Sequence, residues 1–191
     1  MYVSQITNNG PIQNHKVPEL YAKKTMRNFF SDQMNREYVY RYNGSDQFFV
    51  YSPTVPKVPS GESWSVQSIQ FNPQFEAGNK FSFCCRINTA KRENDKAIPQ
   101  IKKGRECGRS PVDSVNKVFK DLAGKAFLVE NLSIEEINVV SFVKADGNPV
   151  TIESADVTGT LTVVDPSEFI KVLTKGVGRE KCYGYGMILL N

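Results

Sequence analysis

One histidine, one tryptophan and four cysteines in 191 residues are scarcities that each close a class of function. Cys84 and Cys85 are adjacent, Cys107 and Cys182 stand alone, and with no C-x-x-C pair neither a zinc site nor a disulfide framework is supported. A lone histidine with no carboxylates clustered beside the cysteines leaves no ligand set with metal spacing, so no metal or other cofactor is expected. No apolar run approaches the roughly 20 residues of a membrane span. Met1-Tyr2-Val3-Ser4-Gln5-Ile6 alternates like a strand and lacks the basic start and long apolar core of a signal peptide. The expectation is a soluble protein of the reducing cytoplasm, without a membrane partner.

What is present suffices for a core: 40% hydrophobic residues over 191 positions suit one large domain or two small ones. The net charge of +4 is unevenly placed. Between Arg86 and Arg109 eight basic residues (Arg86, Lys91, Arg92, Lys96, Lys102, Lys103, Arg105, Arg109) face three acids, an excess larger than the net charge of the whole chain. One basic segment on a near-neutral body is the footprint of a polyanion such as RNA, or else a solvated loop.

Along the chain, residues 2–7 alternate as a strand and Asn8-Asn9-Gly10-Pro11 breaks it. Pro18 opens a helix whose Ala22, Met26, Phe29 and Phe30 share one face, with Lys23, Lys24 and Arg27 on the other. Residues 38–42 and 47–51 are strands joined by Asn43-Gly44-Ser45-Asp46, a hairpin turn. Prolines 53, 56 and 59 mark a loop. Residues 65–71 and 80–87 are strands with a turn at Ala77-Gly78-Asn79 between them. After the basic segment comes a helix with Val112, Val115, Phe119 and Leu122 on one face, then strands at 126–130, 136–144 and 157–164. Asp165-Pro166-Ser167-Glu168 reads as N-cap, N1 proline and N3 acid of a last helix, Gly176 as its stop, and 184–190 as a closing strand. The predicted fold is α+β, with tandem ferredoxin-like (RNA-recognition-motif-like) domains: 1–90, a basic connecting segment 91–110, and 111–191 with a glycine-rich loop.

That loop, Lys175 to Gly186, sets Gly176, Gly178, Gly184 and Gly186 among Arg179 and Lys181. Bare N–H groups there would admit a phosphate backbone; a helix C-cap followed by a β-bulge is the plainer alternative. It is not a dinucleotide fingerprint, since Lys181 stands where a glycine would be required and the loop runs from helix to strand. Tyr38, Tyr40 and Tyr42 share one strand face and either stack bases or belong to the sheet core. Cys182 reads as a small buried residue.

Leu173, the run Gly176-Val177-Gly178-Arg179-Glu180-Lys181, then Gly184 and Gly186 before an apolar strand resemble the CasE-type CRISPR repeat endoribonucleases. The start Met1-Tyr2-Val3-Ser4, the pattern Phe71, Phe75-Glu76-Ala77-Gly78, Phe81, Phe83, Arg86 and Asn88, the basic insert, and Gly159 with Leu161 extend the likeness over nearly the full length. The resemblance implies tandem ferredoxin-like domains and hairpin-specific RNA binding. It also implies metal-independent cleavage of precursor CRISPR RNA that leaves a 2′,3′-cyclic phosphate, with the CRISPR RNA and other subunits of a class 1 effector complex as partners. The RNA-binding residues expected on this basis are Lys91, Arg92, Lys96, Lys102, Lys103, Arg105, Arg109, Gly176, Gly178, Arg179, Lys181, Gly184 and Gly186.

Such cleavage needs groups to take the 2′-hydroxyl proton, to protonate the leaving oxygen and to stabilise the phosphate. The family usually carries a tyrosine and, three residues later, a histidine on its first helix. Here Tyr21 is followed by Lys24, and alignment on Phe30 instead puts Lys23 at that position. Three readings stay open: His15 reaches the phosphate from its loop, Lys23 or Lys24 replaces the histidine, or the protein holds hairpin RNA and cuts weakly or not at all.

Overall fold

The computed structural model describes residues 1–11, 15–30, 36–61, 63–92, 106–107, 111–123 and 125–191, the backbone alone for 91–92, 106–107 and 121–123. Lys96, Lys102, Lys103, Arg105 and Arg109 lie outside the described residues, as do the side chains of Lys91 and Arg92. The elements are β1 (Tyr2–Asn8), α1 (Pro18–Phe29), β2 (Val39–Tyr42), β3 (Gln47–Ser52), β4 (Trp64–Gln70), β5 (Lys80–Asn88), β6 (Lys91–Arg92), β7 (Glu106–Cys107), α2 (Pro111–Ala123), β8 (Phe127–Val143), β9 (Pro149–Val163), α3 (Pro166–Lys175), a 3₁₀ turn (Lys181–Tyr183) and β10 (Ile188–Leu190).

Two four-stranded antiparallel sheets form, ordered β2-β3-β1-β4 and β10-β5-β9-β8. In each, the chain's first strand lies between its third and its last, the order of a ferredoxin-like unit. The first unit has no helix in the described residues between β3 and β4, where Pro53, Pro56 and Pro59 forbid a helix interior. In the second, β5, α2, β8, β9, α3 and β10 complete the full βαββαβ order. The fold class is therefore the expected one. The division at residue 90 does not coincide with the sheets, because β5 pairs with β9 and β10 and opens the second. For the same reason β4 and β5 are no hairpin: β4 pairs with β1, and the turn at 77–78 leads from one sheet into the other.

Period-2 alternation sends the two faces of each strand to different partners. Ile6, Tyr40, Phe48 and Val50 meet Ala22, Met26 and Phe29 of α1 in one core. Phe83, Cys85, Ile87, Val157 and Leu161 meet Val115, Phe119, Phe169 and Leu173 of α2 and α3 in the other. The opposite side of the first sheet, Val39 and Tyr51, closes on Met187 beside β10 and joins the two units. Val112, expected on the buried face of α2, is exposed in its first turn, and Ser114 takes the inward place.

Strands expected at 126–130 and 136–144 are one strand, β8, with register shifts at Glu130/Ser133 and Ile134/Glu136. These irregularities break the period that a continuous strand would show in sequence. β9 begins at Pro149, earlier than expected. The closing strand shrinks to Ile188–Leu190, because left-handed Glu180 and Gly184 flank a 3₁₀ turn ahead of it. No helix among the described residues is long and apolar enough to cross a membrane.

Candidate functional site

The β2–β3 turn brings a buried carboxylate to the only histidine. Gly44, Ser45 and Asp46 all have positive φ, and this tight reversal points Asp46 inward. Asp46 Oδ1 lies 3.2 Å from His15 Nε2, with the two side chains 1% and 16% exposed. The carboxylate also accepts from Tyr42 Oη at 3.4 Å and from Asn8 Nδ2 at 3.4 Å, and its backbone carbonyl accepts from Asn8 N at 3.1 Å. His15 stacks on Tyr21 of α1, ring centroids 3.4 Å apart and planes 13° from parallel. An ionised carboxylate only accepts. Where the ring donates to Asp46, its proton sits on Nε2 and Nδ1 is the unprotonated nitrogen of the neutral tautomer. Burial raises the Tyr21 phenol above its ordinary range, and the charge of Asp46 raises it further. Tyr21 is thus a neutral O–H donor near neutral pH, not a base.

His15 and Tyr21 are brought together; the lysines are not. Lys23 points to the C-terminal loop, its ammonium 4.6 Å above the Tyr183 ring and 3.5 Å from the Tyr183 hydroxyl. Lys24 is exposed. Cys182 is half-buried, with Sγ 3.9 Å from Glu180 Oε2, and burial raises its thiol. Tyr38 and Tyr40 belong to the first core and are unavailable for stacking bases. Tyr40 Oη donates to Cys182 O at 2.8 Å and ties the first sheet to the loop.

The glycine-rich loop departs from its expected role. Five of its N–H groups are not bare: those of Gly176, Val177, Tyr183, Gly184 and Gly186 donate to Val172, Gly186, Glu180, Lys181 and Arg86 carbonyls at 2.7–3.2 Å. A Cβ on Gly176 would come within 2.7 Å of Val39 Cγ2, and one on Gly186 would fall on the Val177 carbonyl oxygen. These glycines let the loop pass between the two sheets. Gly178, with neighbours at 3.6 Å or more, and exposed Arg179 form its outer edge. Lys181 is half-buried, Nζ 3.4 Å from Gly176 O, and burial lowers its pKa, with Arg36 and Lys175 adding to the effect.

Beside this cluster a cleft of ≈ 380 Å³ opens between α1, the β2–β3 turn, the inner face of the second sheet and Tyr183–Tyr185. Among the described residues no group of three or more histidines, cysteines or carboxylates is placed to hold a metal ion. Asp46, Glu19, Tyr183 and Tyr185 were not legible as site residues in the sequence. Asp46 reads there only as a turn former, 31 positions from the histidine it meets.

The family model of the CRISPR associated protein matches residues 1–191. Among solved structures, the chain is similar to Cas6e of Escherichia coli K-12 (20% identity, TM-score 0.73, covering 100% of this chain and 98% of that one). It is similar too to Thermus thermophilus Cse3 bound to an RNA representing a pre-cleavage complex (18% identity, TM-score 0.74, 100% and 98% covered). A chain of a CRISPR RNA-guided surveillance complex in a pre-nicking state matches at 16% identity and TM-score 0.70, with 100% and 99% covered. No curated protein matches the sequence.

Proposed function

The chain belongs to the family of CRISPR-associated proteins along its whole length, and from this premise we propose that it is an endoribonuclease of precursor CRISPR RNA. It binds the repeat hairpin, cleaves at the 3′ base of the stem by attack of the RNA's own 2′-hydroxyl, and keeps the product within a Cascade-like complex. The observation that carries the catalytic part is the buried Asp46 held against His15, itself stacked on Tyr21. In this reading His15 Nδ1 moves the proton, Asp46 orients the ring and balances the imidazolium, and the neutral Tyr21 hydroxyl donates to a phosphate oxygen. The fold shared with Cse3 on a pre-cleavage RNA supports the substrate class, and the surveillance-complex match supports the assembly. Lys91, Arg92, Lys96, Lys102, Lys103, Arg105, Arg109, Arg179 and Lys181 are the proposed cations for the RNA backbone. Gly176, Gly178, Gly184 and Gly186 act by giving the loop its shape.

A second reading, a hairpin-holding scaffold with little cleavage, draws on Lys23 or Lys24 standing where the resemblance puts the family's helix histidine, Lys24 exposed and Lys23 turned to Tyr183. Labelled repeat hairpin incubated in EDTA separates the two. Cleavage that proceeds in EDTA, is abolished by one 2′-deoxy substitution at the cut site, and falls by ~10²–10⁴ in His15→Ala fits the enzyme. A requirement for added magnesium, or cutting of the 2′-deoxy substrate, refutes it.

A further inference from the structure

The cleft beside the His15 cluster is lined by side chains that the proposed acid–base chemistry leaves unused. On β8, Glu136 and Asn138 are two residues apart and share a face. They stand opposite Asp156 and Ser154 on β9, which in turn stand opposite Arg86 and Asn88 on β5. The alternate residues Cys85, Ile87, Ala155 and Val157 fill the core, so this polar row faces the other way, where Arg86, Glu136, Asn138 and Ser154 line the cleft. A register shift falls between Ile134 and Glu136, and bulges commonly re-aim the side chains that follow them.

The charge of the cleft excludes a phosphate. Arg86 is occupied by Asp156, Nε to Oδ1 at 2.8 Å and Nη2 to Oδ2 at 2.7 Å. Glu136 and Glu19 are then the carboxylates on its walls. Glu19 Oε1 accepts from Tyr185 Oη at 3.3 Å, while Oε2 is buried without a partner. What suits carboxylates beside an amide is a neutral, planar group with N–H donors. Half-buried Tyr42 supplies ring surface, and ≈ 380 Å³ lies at the small end of ligand pockets, too small for a duplex.

We propose that the cleft receives a single guanine drawn out of the RNA, donating N1–H and N2–H to the Glu136 carboxylate and accepting at O6 from the Asn138 amide. Of the four bases guanine alone has two adjacent N–H donors beside an acceptor on one edge, which matches a carboxylate next to an amide. Extruded bases are read in this way, by their pairing edge and by stacking on aromatic rings. Tyr42 both lines the cleft and hydrogen-bonds Asp46, so the guanine lies next to the proposed cutting site and sets its position on the RNA. This pocket rests on the RNA-processing reading above.

Guanosine is the probe, titrated against the full protein by saturation-transfer NMR beside adenosine, cytidine, uridine and inosine, the last lacking the 2-amino group. Guanosine should bind about tenfold more tightly than inosine or the others. Glu136 is exposed, so Glu136→Gln should keep the thermal transition and erase the preference; Asn138→Ala should reduce it. Guanosine binding that is absent, no stronger than that of adenosine, or unchanged in Glu136→Gln overturns the pocket. Hairpin cleavage by the same preparations keeps the two readings apart. A protein that cuts hairpin but ignores guanosine loses the pocket alone, whereas one that neither binds nor cuts hairpin loses both.

Discussion

At the scale of single residues, Asp46 and the loop glycines make the sharpest demands. Asp46→Asn replaces an acceptor with a side-chain amide that can donate to Nε2, which would move the ring proton to Nδ1 and reverse the tautomer. The expected result is a fall in single-turnover cleavage of about 10²-fold or more with the hairpin dissociation constant unchanged. A merely structural Asp46 would weaken binding and rate together. The glycines divide by what a Cβ would strike. Gly186→Ala, at φ +83 and against the Val177 carbonyl, should abolish the native thermal transition. Gly178→Ala, at φ +71 with Ile87 and Val118 only at ordinary contact distance of 3.6 Å or more, should cost only the left-handed strain of about 1–2 kcal/mol in a urea melt. The sequence marked all four glycines as one loop. Which way they face depends on Val39, Tyr40 and Arg86, residues 90 or more positions away, and no local pattern carries that information.

At the scale of elements, what was legible is what is local. α3 begins and ends where its cap residues place it: Asp165 Oδ1 accepts from Ser167 N and Glu168 N, and Gly176 closes the helix at φ 67. These bonds, that from Glu168 foremost, hold the Asp165 carboxyl below its usual range. A depressed carboxylate contributes stability above the unfolded-state pKa and loses it as pH falls through the folded one. Asp165→Ala should therefore melt earlier than the parent at pH 7, with the gap closing as pH drops below about 4, checked by thermal melts across that range. β8 was less legible because its register shifts interrupt the alternation before Glu136, and because beyond them Ile137 and Val139 fall on the exposed side of a regular stretch. The partner of β5 was illegible for another reason: its closest register match begins at Ser154, 66 residues on from Asn88, and strand pairing at that distance leaves no trace in composition.

At the scale of the molecule, charge is unevenly spread along the chain. The cleft carries carboxylates and suits a base edge, whereas the excess cations of the chain are concentrated between Arg86 and Arg109, a pattern fit for phosphates. This asymmetry was readable from sequence because charge needs no tertiary context to be counted. Its consequence is separable from chemistry. Each phosphate contact made by Lys or Arg releases condensed counterions, so it adds roughly 0.7–0.9 to the slope of log affinity against log salt. Replacing Lys102, Lys103 and Arg105 together by alanine should lower that slope by about 2–3 in hairpin titrations at several salt concentrations. Affinity at low salt should fall most, and single-turnover cleavage at saturating RNA should hold, since His15, Asp46 and Tyr21 are untouched. A slope that does not move would transfer the phosphate contacts to other cations, with the exposed Arg179 of the glycine-rich loop the next to replace.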